Sequence, residues 1–149
     1  MTRPLTTPLI VRNVLFATDF SDASRLARQT AAEIARHFGA RLHVLHVIPP
    51  VTDPAGASEA LRAEAAEIET GLSIVTACVS GRVARRIVEY SGQNAIDVIV
   101  VGTHGRTGVS HALLGSVAGA VIRRAPCPVL TVPAALPKVS AAAPKAEAH

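Results

Sequence analysis

Apolar positions along this chain change period repeatedly. "VRNVLFA" (11–17) is a short, mostly apolar run that predicts a first strand. In "SDASRLARQTAAEIARHFG", directly after it, Ala23, Leu26, Ala27, Thr30, Ala31, Ile34, Ala35 and Phe38 recur every three or four residues. That is the spacing of one helix face. Ser21 stands where a helix is capped, and Gly39 where a left-handed residue closes one. "ARLHVLHV" (40–47) predicts a second strand, stopped by Pro49 and Pro50. "SEALRAEAAEIETG" returns to helical periodicity and ends at Gly71. "LSIVTACV" (72–79) predicts a third strand, and Gly81 opens a third helix over "RVARRIVEYSGQN". "AIDVIVV" (95–101) predicts a fourth strand, a fourth helix begins near Gly115, and "CPVLTV" (127–132) predicts a fifth strand.

Strands four and five are nearly uninterrupted apolar runs, so both of their faces are covered. Strictly alternating strands and helices then predict an α/β fold: one open five-stranded parallel sheet with helices on both faces, Rossmann-like. Right-handed crossovers leave only a few doubly wound arrangements. In such sheets ligands bind beyond the carboxyl ends of the strands, where the winding reverses. Two strand-to-helix loops are chemically rich: "ATDFSDAS" after strand one and "GTHGRTGVS" after strand four. Asp97, opening strand four, is expected to end the third crossover with a hydrogen bond.

A length of 149 residues suits one domain, placed at residues 10–133. Residues 1–9, with two prolines and two adjacent threonines, read as a flexible arm. Residues 134–149, rich in Ala, Pro and Lys, read as a disordered tail. Hydrophobic residues make up 49% and aromatics 3%, so the core is aliphatic. The net charge of +4 is scattered: Lys138 and Lys145 lie in the tail, and Arg25, Arg28 and Arg36 on one helix. No basic stripe interleaves with aromatics, so nucleic-acid binding is not expected. Cys78 and Cys127 sit in apolar contexts at no metal-ligand spacing, and read as buried free thiols. His43 and His46 lie three apart on a strand and point to opposite faces, which excludes a shared metal. No export signal and no apolar run of the ~18 residues needed to span a membrane is seen. A soluble, cytoplasmic protein is expected.

The stretch from Gly102 to Arg124 holds five of the ten glycines. Glycines after a strand let a bulky group approach the backbone, and exposed amides there can cradle an anion. Gly115-Ser116-Val117 falls at the start of a helix, where free amides and the positive dipole end suit a phosphate. Ser116 can add a hydroxyl, and His104 or Arg106 charge. The physical reading is a polyphosphate cradle built mainly of backbone. It is neither a Walker A loop nor a GxGxxG fingerprint.

Gly102-x2-Gly105-x9-Gly115-Ser116 matches the G-2x-G-9x-G-(S/T) signature of the universal stress protein family, and "ATDFSDAS", "GRVARRIV", "HALLGSVA" and "RRAPCPVLTV" also resemble that family. The resemblance covers about residues 11–132. It implies the strand order 3-2-1-4-5, which sets the Asp19 loop against the Gly102 loop. It further implies that Asp19 contacts a ribose, and that Ala17 and Thr18 line the base or sugar. Val47 would read the adenine edge through its backbone. Val101 and Gly102 would flank the ribose and phosphates, with His104, Gly105, Arg106, Gly115, Ser116 and Val117 around the phosphates. Ala118 stands where some members carry a hydroxyl, so one phosphate contact is weaker here. Each role has a plainer rival: Asp19 or Ser116 as a helix cap, His104 and Arg106 as solvated loop residues.

Three functions follow from the resemblance. The first is an ATP-binding regulatory stress protein, with Mg²⁺ accompanying the triphosphate and at most slow hydrolysis. The second is an efficient ATP-hydrolysing enzyme on the same fold, against which no general base or arginine cluster stands beside the cradle. The third is a dimeric stress or adaptor protein that works without nucleotide. Strand five, at the sheet edge, is an exposed apolar pairing surface, and the family resemblance implies a homodimer through Pro128–Val132.

Overall fold

The computed structural model describes residues 8–68, 71–103 and 114–135. The first seven residues of the expected arm, the expected tail beyond 135, and His104, Gly105, Arg106, Gly108 and His111 lie outside the described residues. Strands and helices alternate as β1 (Asn13–Thr18), α1 (Arg25–Phe38), β2 (Arg41–Ile48), α2 (Ala57–Ala66), β3 (Ile74–Ser80), α3 (Val83–Gln93), β4 (Val98–Gly102), α4 (Ser116–Arg124) and β5 (Val129–Val132). A single 3-10 turn, Asp22–Ser24, precedes α1. All strand pairs are parallel, in the order β3-β2-β1-β4-β5.

The period of two along each strand divides the core into two layers. Val14, Phe16, Leu42, Val44 and Val100 face α1 and α2. Leu15, Leu45, Val47, Ile99 and Val101 face α3 and α4. Right-handed crossovers explain this division. The first two step from β1 toward β3 and share one face; the last two step the other way and cover the opposite face. The winding therefore reverses between β1 and β4, which pair at Val14–Val98, Leu15–Ile99 and Phe16–Val100. On α1 the buried stripe is Ala27, Ala31, Ala32 and Ala35, whose small side chains let the helix lie close to Phe16. Gly39, at φ 62°, closes α1 and donates to the carbonyls of Ala35 and Arg36.

Several boundaries differ from the sequence expectation. The helical region after β1 opens as a 3-10 turn, and Ser21 caps it without a side-chain bond. Ser24 Oγ instead donates to the Ser21 carbonyl at 2.8 Å. Helix α2 ends at Ala66 rather than running on to Gly71, and Leu61 is its one buried residue. Arg28 of α1 ties α2 down through Glu64 at 3.3 Å and Glu67 at 2.9 Å. Strand β4 starts at Val98, three residues later than expected. Ala95 turns the chain at φ 50°, and the Asp97 carboxylate accepts from the N–H groups of Arg12 and Asn13 at 2.8 and 2.9 Å. That bond closes the third crossover, as expected of Asp97. Phe38 is exposed, so the buried stripe of α1 ends before it. Cys78 and Cys127 are free and half-buried rather than buried.

The two β2 histidines do face opposite ways. His43 is buried on the α3 side. Its Nε2 lies 3.1 Å from Asn13 Oδ1 and its Nδ1 2.8 Å from the Tyr90 hydroxyl. An amide oxygen only accepts, so Nε2 carries the proton and Nδ1 accepts from Tyr90. Burial, and secondarily the Arg41 charge, holds the His43 pKa below the usual imidazole value. Among the described residues, no helix is long and apolar enough to cross a membrane.

Candidate nucleotide-binding cleft

At the carboxyl end of the sheet, where the winding reverses, lies a cleft of about 630 Å³. Its floor is aliphatic: Leu45 and Val47 of β2, Val101 of β4, and Val83 and Ile87 of α3. Ala17, Thr18 and Asp19 line one wall; Gly102, Gly115, Ser116 and Val117 line the other. These residues, with Val47 and Val101, are all the described positions that the sequence singled out. His104, Gly105 and Arg106 lie outside the described residues.

The β1 wall is a strained turn fixed by side chains. Phe20 sits at φ 65°, a left-handed conformation that costs a non-glycine residue roughly 1–2 kcal/mol. Contacts from three side chains offset that cost. Thr18 Oγ1 accepts from the Phe20 N–H at 3.0 Å. Asp19 Oδ1 accepts from both the N–H and the hydroxyl of Ser21. His46 Nδ1 lies 2.8 Å from the Thr18 carbonyl, and its ring packs on Phe20 at a centroid distance of 4.1 Å. A carbonyl only accepts, so Nδ1 of His46 is the protonated nitrogen. Asp19 therefore neither caps α1 nor hangs loose; its carboxylate shapes the turn while bordering the cleft.

The β4 wall is made of backbone. Gly102 is the last residue of β4, paired with Val132, so it belongs to the strand rather than following it. Thr103 N–H donates to the Val132 carbonyl at 2.9 Å, and Gly115 N–H to the Thr103 carbonyl at 2.8 Å. Gly115 has φ −57°, which any residue adopts. Its requirement for glycine is space: a Cβ there would lie 2.7 Å from the Thr103 oxygen. Gly115 caps α4 with no side-chain bond. The amides of Ser116, Val117 and Ala118 open the helix and have no intrahelical acceptor. With the dipole they present partial positive charge to the cleft.

The segment between β2 and α2, including Thr52, Asp53 and Gly56, forms a third side. Asp53 Oδ1 accepts from the Ala55 N–H at 2.9 Å, and Gly56 turns at φ 79°. Among the described residues no cluster of three or more His, Cys, Asp or Glu could hold a metal ion. Sequence reasoning missed Phe20, His46 and this segment. A left-handed phenylalanine has no sequence signature. For His46 the one available signal was its place at the end of β2, opposite Thr18 in the register.

Comparison with known proteins agrees with this geometry. The universal stress protein family model matches residues 11–133. A universal stress protein of Methanocaldococcus jannaschii is 37% identical over 140 residues, covering 83% of this chain and 82% of that protein. A universal stress protein solved in complex with cAMP superposes with a TM-score of 0.72 at 29% identity, covering 85% of this chain and 100% of the other. One from Archaeoglobus fulgidus in complex with dAMP gives 0.65 at 27%, covering 83% and 98%. This chain belongs to the universal stress protein family.

Proposed function

We propose that this protein binds an adenine nucleotide, ATP in the first instance, and acts through occupancy of the cleft rather than through turnover. The observation that carries this reading is the meeting of two unlike walls at the β1–β4 reversal: a carboxylate residue, Asp19, and the start of α4 at Ser116 and Val117 line the same cleft. A carboxylate suits two ribose hydroxyls, and the helix start suits phosphates. The aliphatic floor takes the base, with the Val47 backbone reading its edge and Ala17 and Thr18 beside it. Val101 and Gly102 flank the sugar, and Gly115 leaves room for the phosphates. The family resemblance implies phosphate contacts for His104, Gly105 and Arg106, which lie outside the described residues. Relatives solved with cAMP and dAMP support an adenine ligand. Mg²⁺ would be held mainly by the phosphates and water, since the described carboxylates of the cleft are Asp19 and Asp53 and Asp19 is engaged by Ser21.

Titration calorimetry with ATP tests the reading. Binding is expected to release heat and raise Tm, by about 2.7 kcal/mol of stability at a hundredfold excess over Kd. Absence of both at millimolar ATP would sink it and leave the nucleotide-independent adaptor. Phosphate release is expected below about 1 per second. Faster turnover that collapses in His104→Ala or Arg106→Ala would favour an enzyme instead.

The same reading includes a homodimer through the Pro128–Val132 edge. Strand β5 is an edge strand, and Leu130 on it is 40% exposed. Light scattering is expected to give twice the 15.4 kDa chain mass, and a monomer would overturn this part alone.

A further inference from the structure

We propose that His46 is the positioning residue of the nucleotide loop: from β2 it holds the Thr18–Ser21 turn in the shape that presents Asp19 to the cleft. This rests on the nucleotide reading of that cleft.

His46 acts on the turn at two points. Its Nδ1–H donates to the Thr18 carbonyl, immediately before Asp19, and its ring packs on Phe20, immediately after. Asp19 is thus bracketed by two contacts from one side chain. Phe20 needs such support, because its φ of 65° is unfavourable for any residue with a Cβ. The competing arrangement is locally attractive. With Phe20 relaxed to a right-handed conformation, the Asp22–Ser24 turn extends backward and Asp19 becomes a helix cap. Its carboxylate, which now accepts from Ser21 through Oδ1, would then turn toward the first amides of the lengthened helix and away from the cleft. Strained backbone persists only where its surroundings over-determine it; Phe20 packs against the core on the α1 side, and His46 adds a hydrogen bond from another strand to that packing. The contrast with His43 is instructive. Three residues earlier, His43 is buried and bonded at both ring nitrogens, and it does not line the cleft. His46 is partly exposed and lines the cleft itself.

The experiment uses His46→Phe, which keeps a ring against Phe20 and removes the donor, and His46→Asn, whose amide nitrogen stands near the place of Nδ1. Each is made alone and together with Asp19→Asn, and ATP affinity is measured by calorimetry. His46→Phe is expected to weaken ATP about tenfold, an effect of the size seen for coupled neighbours. His46→Asn is expected to recover most of that loss. In the Asp19→Asn background, His46→Phe should add less than about twofold. Equal losses in both backgrounds, or an asparagine no better than phenylalanine, would overturn the proposal. A second measurement needs no ligand. Amide exchange at Phe20 and Ser21 is expected to quicken about tenfold in His46→Phe, while Phe16 and Val44 stay protected. Phe20→Ala, which breaks the contact from its other side, should quicken Ser21 as well, and it serves if His46→Phe does not fold. Unchanged exchange in the folded variants would overturn the proposal. If the unaltered protein does not bind ATP, the nucleotide reading fails, and exchange still decides what His46 does.

Discussion

On the β1 side of the cleft, Thr18, Asp19, Ser21 and His46 hold a loop in a strained shape through their side chains. On the β4 side the described wall is carried by main chain: Gly102 in the ladder, Gly115 against the Thr103 carbonyl, and the opening amides of α4. The difference has a physical consequence. A wall of side chains is damaged by removing atoms, whereas a wall of backbone is damaged by adding them. Truncation and insertion should therefore have opposite rankings on the two sides.

The largest expected effect is at Asp19. Asp19→Ala removes a charge-assisted acceptor, and each such bond is worth about 1.5–3 kcal/mol. ATP affinity in calorimetry should fall on the order of a hundredfold, and Tm should fall as well, because the two Ser21 bonds to the carboxylate are lost. Gly115→Ala comes next and reverses the logic, since one methyl group would meet the Thr103 oxygen at 2.7 Å. Affinity should drop about tenfold, and overpacking of about 1–3 kcal/mol should lower Tm by roughly 2–4 °C per kcal/mol. A Gly115→Ala protein with unaltered Tm and affinity would erase the distinction between the walls. Smaller effects sharpen it. Ser21→Ala removes the hydroxyl donor to Asp19 but keeps the Ser21 N–H bond and should cost about threefold in affinity, while Ser116→Ala leaves the helix amides in place and should cost less than about twofold. A Ser116 effect larger than that of Ser21 would count against a backbone-built phosphate side.

The smallest effect concerns the opposite end of β1 and β2 and serves as a control. Burial holds the His43 pKa below its ordinary value of 6.5. As pH falls through that value the unfolded chain takes up a proton before the folded one does. His43 therefore contributes full stability above about pH 6.5 and loses it on acidification. Thermal unfolding between pH 7.5 and 5 should show Tm falling, with a shallower fall in His43→Gln. ATP affinity relative to Tm should not follow this residue, because His43 does not touch the cleft.

Element type was legible wherever a local pattern decides the outcome. The helical stripe of α1, its closure at Gly39 and the apolar runs of β2 and β4 each follow from spacing over a few residues. The alternation also indicated covered faces and a parallel sheet, and the strand order followed from the family resemblance. Boundaries failed where distant groups intervened. Asp97 delays β4 because its carboxylate reaches across to Arg12 and Asn13. Helix α2 stops at Ala66 while the chain just beyond it buries Ile68 in the core, which its composition alone does not reveal. The glycines split in the same way: Gly39 could be read from its place after a helix, but the need for Gly115 depends on a carbonyl twelve residues earlier in the chain.

The sequence by itself determined the order of elements, the aliphatic core and the family, because those depend on periodicity and on a motif within one stretch of chain. Local bonds from Thr18 and Asp19 help to hold the turn, but tertiary structure alone decided its contact with a second strand. His46 is brought to it from β2 by the parallel register, and it packs on a left-handed Phe20 that no local preference favours. Close approach across strands, unlike periodicity, leaves no mark in linear order.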